Sequence, residues 1–348
     1  MLTFGNFDHV DADDQPLATF YEERLKLVEQ LDRLGFHGYH TAEHHFTPLG
    51  LAASPGIYLS AVAQRTRRLR FGPLVYTLPL YHPLRLAEEI CMLDQMSGGR
   101  LDVGIGRGIS PIEAALYGEP SDVTTSRQVH QETLEIIQQA LQNEQVNFNG
   151  TFRQASDVQM QLTPLQKPHP PFWMGVATEE SAETAARAGY SFIASAPAAD
   201  VGSFNRRYVE TWDAVHPEKP MTTKRGLALF VVVADTDAEA QAIAARAYRV
   251  WYRSFNYLYR QHGRSPVKGE RATEFSEVIA ETRGIAGSPA TVRHYLQERI
   301  DEAQCNYLVG HFFFGNLTFA ESSRSIDLFA SEVMPALVEP REMQALSI

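Results

Sequence analysis

Apolar positions along this chain alternate between short continuous runs and longer stretches at helical spacing. Leu17, Phe20, Tyr21, Leu25, Val28, Leu31 and Leu34 recur every three or four residues, which predicts a helix that Gly35 stops. Apolar runs at 2–6 and 36–41 flank it and predict strands. A helix from Ser54-Pro55-Gly56 to about Arg67 and a strand at 69–76 follow. Pro83 sits where a first helical turn favours proline, and this helix runs to Met96 before Ser97-Gly98-Gly99 ends it. Next come a strand at 100–106 and a helix at 126–141. The stretch 143–171 is polar and broken by Gly and Pro, which predicts an excursion with a hairpin. Strands at 172–176, 191–194 and 227–234 then alternate with helices at 179–188, 203–215 and from Asp237. A helix at 288–301, a strand at 306–310 and a helix at 319–337 complete the chain.

Counted as units, this rhythm gives about eight strand–helix pairs, which suits a (β/α)8 barrel spanning 1–348 as one domain. A doubly wound open sheet is the alternative, and rhythm alone separates the two poorly. The segment 253–287 breaks the rhythm with R-Q-H-G-R-S-P-V-K-G-E-R. Its two readings are a mobile lid loop over a pocket and a solvated insertion.

Composition narrows the classes. The chain has 348 residues, of which 44% are hydrophobic, enough for a large core. A formal net charge of −11 argues against nucleic acid and anionic membranes as partners. Cys91 and Cys305 are the two cysteines, too few for a disulfide framework or a structural zinc set. No stretch reaches transmembrane length, and M-L-T-F-G-N-F-D lacks the pattern of a signal peptide. A soluble, cytoplasmic protein is the expectation.

Four stretches carry candidate chemistry. His40-Thr41-Ala42-Glu43-His44 matches H-x-x-E-H, a zinc peptidase signature that requires a helix. Gly35 and Gly38 upstream, with Pro48 and Gly50 downstream, leave little room for that helix, and a short pattern often matches by chance. The alternative is a strand, Tyr39 to Thr41, followed by an acid–base edge at Glu43, His44 and His45. G-I-G-R-G-I (104–109) follows a predicted strand but has Ile109 where a dinucleotide fingerprint needs glycine. It leaves a glycine-rich strand exit, Gly106 and Gly108 around Arg107, suited to phosphate or simply a tight turn. Thr178 is a plausible N-cap, with Ser181 in the first turn, and such a helix start is either an anion site or an ordinary cap. His82 precedes Pro83, where a lone histidine is more often a cap or packing group.

Taken in order, these stretches resemble the bacterial luciferase-like, flavin-dependent monooxygenases. The resemblance rests on A-E-H-H-F-T-P-L-G-L (42–51), S-A-V-A-Q-R-T-R-R-L-R-F-G (60–72) and L-P-L-Y-H-P-L-R-L-A-E-E (78–89). It continues through L-D-Q-M-S-G-G-R-L-D-V-G-I-G-R-G (93–108), G-S-P-A-T-V (287–292) and F-A-S-E-V-M-P-A-L (329–337). E-H-H-F-T followed by G-L is similar to the luciferase α subunit.

The resemblance implies a TIM barrel that uses reduced FMN and O2 to oxygenate a small organic substrate through a flavin C4a-(hydro)peroxide. It further implies a separate flavin reductase as partner and a homodimer. Arg107, Thr178, Ser181 and the Ala177 N–H match the flavin-phosphate positions. Leu74-Val75 matches a non-proline cis peptide under the flavin ring. His44 matches the acid–base histidine, and Glu43, His45 and His82 match motif positions beside it. Gly106 stands where luciferase α subunits carry a reactive cysteine, and Ser110 where an aromatic residue is expected. Both departures point away from light emission and a long-chain aldehyde. A deazaflavin-dependent oxidoreductase, a non-catalytic flavin-binding protein and the zinc metallopeptidase are the competing readings. Phe46, Tyr58, Tyr76, Phe230, Trp251 and Phe312 are candidates to line an apolar pocket.

Overall fold

Eight parallel strand positions surround a filled interior in the computed structural model, which describes residues 1–11, 15–267 and 269–340. The strands are β1 (Thr3–Asp8), β2 (Gly38–Thr41), β3 (Arg70–Pro73), β4 (Tyr76–Thr77), β5 (Val103–Gly106), β6 (Gln145–Asn149), β7 (Gln154–Gln159), β8 (Phe172–Gly175), β9 (Ser191–Ala194), β10 (Arg225–Val233), β11 (Gly284–Gly287) and β12 (Tyr307–His311). The helices are α1 (Leu17–Leu34), α2 (Pro55–Arg65), α3 (Pro83–Ser97), α4 (Pro111–Leu116), α5 (Val123–Gln142), α6 (Glu179–Ala188), α7 (Ala198–Val215), α8 (Asp237–Phe255), α9 (Tyr257–Gln261), α10 (Phe275–Ala280), α11 (Pro289–Ala303) and α12 (Phe319–Leu328).

Hydrogen bonding orders the main sheet β3-β2-β1-β12-β10-β9-β8-β5-β4. Neighbours along this path pair in parallel. β3 and β4 are one run interrupted at Leu74–Val75, a cis peptide bond. A bridge between Phe71 and Leu101 returns β3 to the side of β5, so the sheet closes into a barrel rather than an open doubly wound sheet.

Trp173, Ile193, Ala228, Tyr307 and Val309 fill the barrel, with Phe7 and Leu74 against them. Tyr307 crosses the interior where β1 and β2 present Gly5 and Gly38; a Cβ on Gly38 would lie 2.6 Å from the Tyr307 hydroxyl. Glycine is required there because a methyl group cannot approach that closely. The same hydroxyl lies 3.0 Å from His40 Nε2. Outside the barrel, most helices bury their apolar stripes against the strands in one large core, while α8 and α10 pack with β10 in a second cluster around Tyr248, Trp251 and Phe275.

The elements that follow strong patterns fall where the sequence puts them. α1 spans Leu17–Leu34 with Gly35 in the left-handed C-cap, and α3 ends at a left-handed Gly98. The excursion contains the antiparallel hairpin β6–β7. Three readings are corrected. α7 begins at Ala198, before the predicted 203, because Pro197 already supplies the helix entry. The last helix stops at Leu328 and continues as a π turn over Phe329–Val333 and a 3-10 turn over Met334–Ala336. The predicted loop 253–287 contains regular elements: the end of α8, then α9, α10 and the buried strand β11, which pairs in parallel with β10. Four residues, G-I-A-G, are too short a run to stand out between polar flanks. Lys268, inside that predicted loop, lies outside the described residues, as do 341–348.

Candidate active site at the strand exits

The segment 42–50 leaves β2 at the C-terminal end of the barrel, with the Ala42 N–H donating to the Asp8 carbonyl at 3.0 Å. Glu43 turns inward and is 6% exposed. Its Oε2 accepts from the Thr77 N–H (3.1 Å) and the Tyr81 hydroxyl (2.8 Å), tying this exit to that of β4. Burial, with the Glu43 carboxylate second, pushes the Tyr81 phenol far up, so it stays a donor. Glu43 Oε1 lies 3.0 Å from His45 Nε2, and the Tyr117 hydroxyl lies 3.0 Å from His45 Nδ1. Both nitrogens of His45 are therefore engaged.

His44 faces the other way. Its Nδ1 lies 3.1 Å from Glu113 Oε1, while Glu113 Oε2 accepts the His45 N–H at 3.0 Å. A carboxylate on Nδ1 fixes the tautomer and leaves Nε2 for proton transfer. The His44 ring is stacked with that of His9, centroids 6.0 Å apart and planes 18° apart. His9 is stacked with His311 (5.5 Å, 23°), and His311 with Phe230 (4.6 Å, 26°). These four rings come from the exits of β2 and β1, the last residue of β12 and, opposite it in register, Phe230 within β10; the four strands are consecutive in the sheet. Trp251 closes the row edge-on, with Nε1 donating to His9 Nδ1 at 3.3 Å. Burial lowers His311 to about 3, with Arg271 adding to the effect, and holds His9 well below the ordinary histidine range. Both are neutral imidazoles at physiological pH.

Arg107 leaves β5 and Ala177–Thr178 leave β8, two neighbouring strands. Gly104 and Gly106 let β5 lie against the 73–75 turn; a Cβ on Gly106 would run into the Val75 side chain. Gly108 follows in the left-handed region. Arg107 makes one long contact, Nη1 to the Val123 carbonyl at 3.4 Å, and has no carboxylate partner among the described residues. At the start of α6, Thr178 and Ser181 form a capping box. Ser181 Oγ accepts from the Ala177 N–H (3.1 Å) and the Thr178 N–H (3.0 Å); Ala177 and Thr178 are exposed and Ser181 is half-buried. This donor set of one guanidinium, two hydroxyls and the N–H groups of a helix start fits a phosphate.

Residues 2–304 match the family described as luciferase-like monooxygenase. The chain belongs to that family. It is 39% identical over 340 residues to the uncharacterized protein y4wF of Sinorhizobium fredii, covering 96% of each chain. It is 27% identical to the oxygenase component of flavin-dependent trigonelline monooxygenase from Acinetobacter baylyi, covering 98% of this chain and 97% of that protein. The crystal structure of monooxygenase RslO1 from Streptomyces bottropensis superposes with a TM-score of 0.85 at 29% identity, over 96% of this chain and 99% of that one.

In this luciferase-like barrel, the predicted site residues divide into two groups. Glu43, His44 and His45 meet through the contacts above, and Arg107, Ala177, Thr178 and Ser181 share the adjacent exits of β5 and β8, with the cis Leu74–Val75 bond against β5. His82 stays apart, exposed at the N-cap of α3 with no side-chain hydrogen bond. His40 is 1% exposed among Trp173 and Tyr307, and it lies on a strand, so the helix a zinc H-x-x-E-H site needs does not form. Of the pocket-lining candidates, Phe230 and Trp251 border the histidine row. Tyr58, Tyr76 and Phe312 are core residues, and Phe46 is exposed beside Tyr117.

Sequence reasoning missed Glu113, Tyr117, His9 and His311. Ser110-Pro111-Ile112-Glu113 has the form of a helix start, and Ser110 Oγ does accept the Glu113 N–H at 3.3 Å. The Glu113 carboxylate, however, turns to His44 and His45 instead of the cap. His9 and His311 each end a barrel strand run, and that position was the available signal.

Proposed function

We propose that this chain is the oxygenase component of a two-component monooxygenase that uses reduced FMN and O2 to oxygenate a small organic substrate. A separate flavin reductase supplies the reduced cofactor, and the whole chain acts as one barrel, paired as a homodimer in the cytoplasm. The observation that carries the reading is the placement of Arg107, without a carboxylate partner among the described residues, at a strand exit beside Thr178 and Ser181.

In this reading Arg107, the Thr178 and Ser181 hydroxyls and the Ala177 N–H hold the cofactor phosphate. The N–H groups that now donate to Ser181 Oγ are exposed, so redirecting them to an anion strands no buried group. Leu74 and Val75, with Gly106 behind them, form the bed for the ring system. Reduced flavin supplies the electrons that activate oxygen, chemistry that belongs to the cofactor. His44 gives or takes the proton at Nε2, and Glu113 positions it through Nδ1. Glu43 holds His45 and the Tyr81 hydroxyl in one buried cluster that braces the exit. The rings of His9, His311, Phe230 and Trp251 exclude water from the same end of the barrel.

Reduced FMN mixed with O2 and a panel of aldehydes, ketones and aromatic compounds tests this directly. The expected product carries one oxygen atom more than its substrate, and its formation falls in His44→Ala. Hydride transfer from a reduced deazaflavin without oxygen consumption would replace this reading with the deazaflavin one.

A further inference from the structure

We infer that the substrate is a small organic anion, its negative group held by Arg271 and its carbon skeleton lying along Phe255 and Trp251 toward His9 and His311. This rests on the flavoenzyme reading above and names the substrate class of the same site.

Arg271 follows α9 and precedes α10, and its charge acts on both His9 and His311. Its guanidinium carbon lies 5.6 Å from the centroid of the Phe255 ring. Phe255 stacks on Trp251 at 5.2 Å and 19°, and Trp251 donates its N–H to His9. A continuous aromatic shelf therefore runs from the guanidinium to the histidine row. Arg271 has no carboxylate or hydrogen-bond partner among the described residues. Nearby arginines do: Arg249 pairs with Glu274 at 2.9 Å and Arg283 with Glu281 at 3.8 Å. Glu281, whose field reaches Arg271, is thus already engaged.

The far end of the shelf is also unanswered. His311 is 4% exposed, and neither ring nitrogen has a partner. Buried polar groups are normally bonded, so an orphaned imidazole at a barrel mouth calls for a ligand atom. His9 accepts from Trp251 at Nδ1 and so presents Nε2–H as a donor. Burial disfavours the charged form of Arg271; burial, with the Arg271 field adding to it, keeps His311 neutral, and burial with the neighbouring His311 and His44 does the same for His9. The shelf thus has one fixed positive charge and two neutral polar rings. A wholly apolar substrate would leave the guanidinium desolvated and unpaired, whereas a carboxylate-type anion meets its rigid fork of donors. The chain carries a net charge of −11, so general electrostatic attraction would not produce such a preference.

Isothermal titration of the full-length protein with benzoate, benzenesulfonate and benzamide, and with hexanoate and hexanamide, tests the assignment. At least one anion is expected to bind about tenfold or more tightly than its matched amide. In Arg271→Gln that preference falls to within about twofold, and Arg271→Lys, which keeps the charge without the fork, retains part of it. The sulfonate arm reports whether the head group is a carboxylate or a tetrahedral oxyanion. Equal binding of anion and amide, no binding of any anion, or a preference unchanged in Arg271→Gln would overturn the inference. Should Arg271→Gln fail to melt cooperatively, the Lys variant decides: full retention of the preference at low and high salt contradicts a fork of hydrogen bonds. Titrating oxidised FMN into the wild-type protein separates the two readings. FMN binding without an anion preference removes this inference alone, and an anion preference without FMN binding removes the flavin reading alone.

Discussion

The exits of β5 and β8 differ from those of β2, β1 and β12 in how their polar groups are held. On the first side, Thr178 and Ser181 satisfy one another through short local contacts within a helix cap, and Arg107 is held only by one long contact to the Val123 carbonyl. On the second side, Glu43, His45, Glu113 and His311 are buried, and Glu43 and Glu113 take partners from distant parts of the chain, as Glu113 does for His44 across 69 residues. Exposed donors exchange protein partners for a ligand at little net change in free energy. Buried groups are locked by neighbours that a single substitution strands. The first arrangement suits binding a highly charged, hydrated group, and the second suits fixing protonation states where water is excluded.

The largest expected effect of breaking the buried side comes from His44→Ala. Removing a general acid–base group lowers product formation by about 100- to 10,000-fold, read as turnover with saturating reduced flavin. Turnover within twofold of the wild type, on this same scale of proton-transfer effects, would take His44 out of the chemistry.

A smaller loss is expected in Glu113→Gln, which keeps the side chain's shape and removes its charge. The hydrogen bond to a charged partner is worth about 1.5–3 kcal/mol, so kcat falls by about 10- to 100-fold. Because Glu113 acts through His44, KM changes little, and Glu113→Asp recovers part of kcat. A merely structural role would instead lower stability and leave the kcat of folded protein intact.

His311→Leu gives the smallest effect and reports on burial alone. In the wild type, the folded state refuses a proton that an unfolded histidine accepts below about 6.5. His311 is lowered to about 3 by burial, so its neutral form contributes fully above the unfolded value, and that contribution shrinks as pH falls toward 3. His311→Leu removes this dependence. Its unfolding free energy therefore falls less steeply between pH 6 and 4, by about 1.4 kcal/mol per pH unit, in denaturant titrations. Identical slopes in the two proteins would show that His311 is solvated.

The two sides also differ in how far they could be read from sequence. Thr178 and Ser181 are legible because a capping motif is local, and the structure places it within one turn. Gly106-Arg107-Gly108 is legible because a glycine-rich strand exit is also local. The barrel itself follows from strand–helix rhythm, and α1 from the spacing of seven apolar residues. Glu113 escapes because its cap motif is ordinary and its carboxylate acts through a tertiary contact. His9 and His311 escape because nothing in F-D-H-V or V-G-H-F announces that barrel closure stacks their rings. β11 escapes because tertiary pairing with β10, not a pattern of its own, makes four residues a strand. What depends on contacts between strand exits is specified by the whole closed sheet.

The most direct test of this division is a fluorescence titration of oxidised FMN and riboflavin into the wild-type protein and Arg107→Ala. The wild type is expected to prefer FMN over riboflavin by about tenfold or more, the contribution of charge-assisted hydrogen bonds to the phosphate. In Arg107→Ala the preference collapses because FMN weakens while riboflavin does not. An FMN preference unchanged by the substitution would contradict the account.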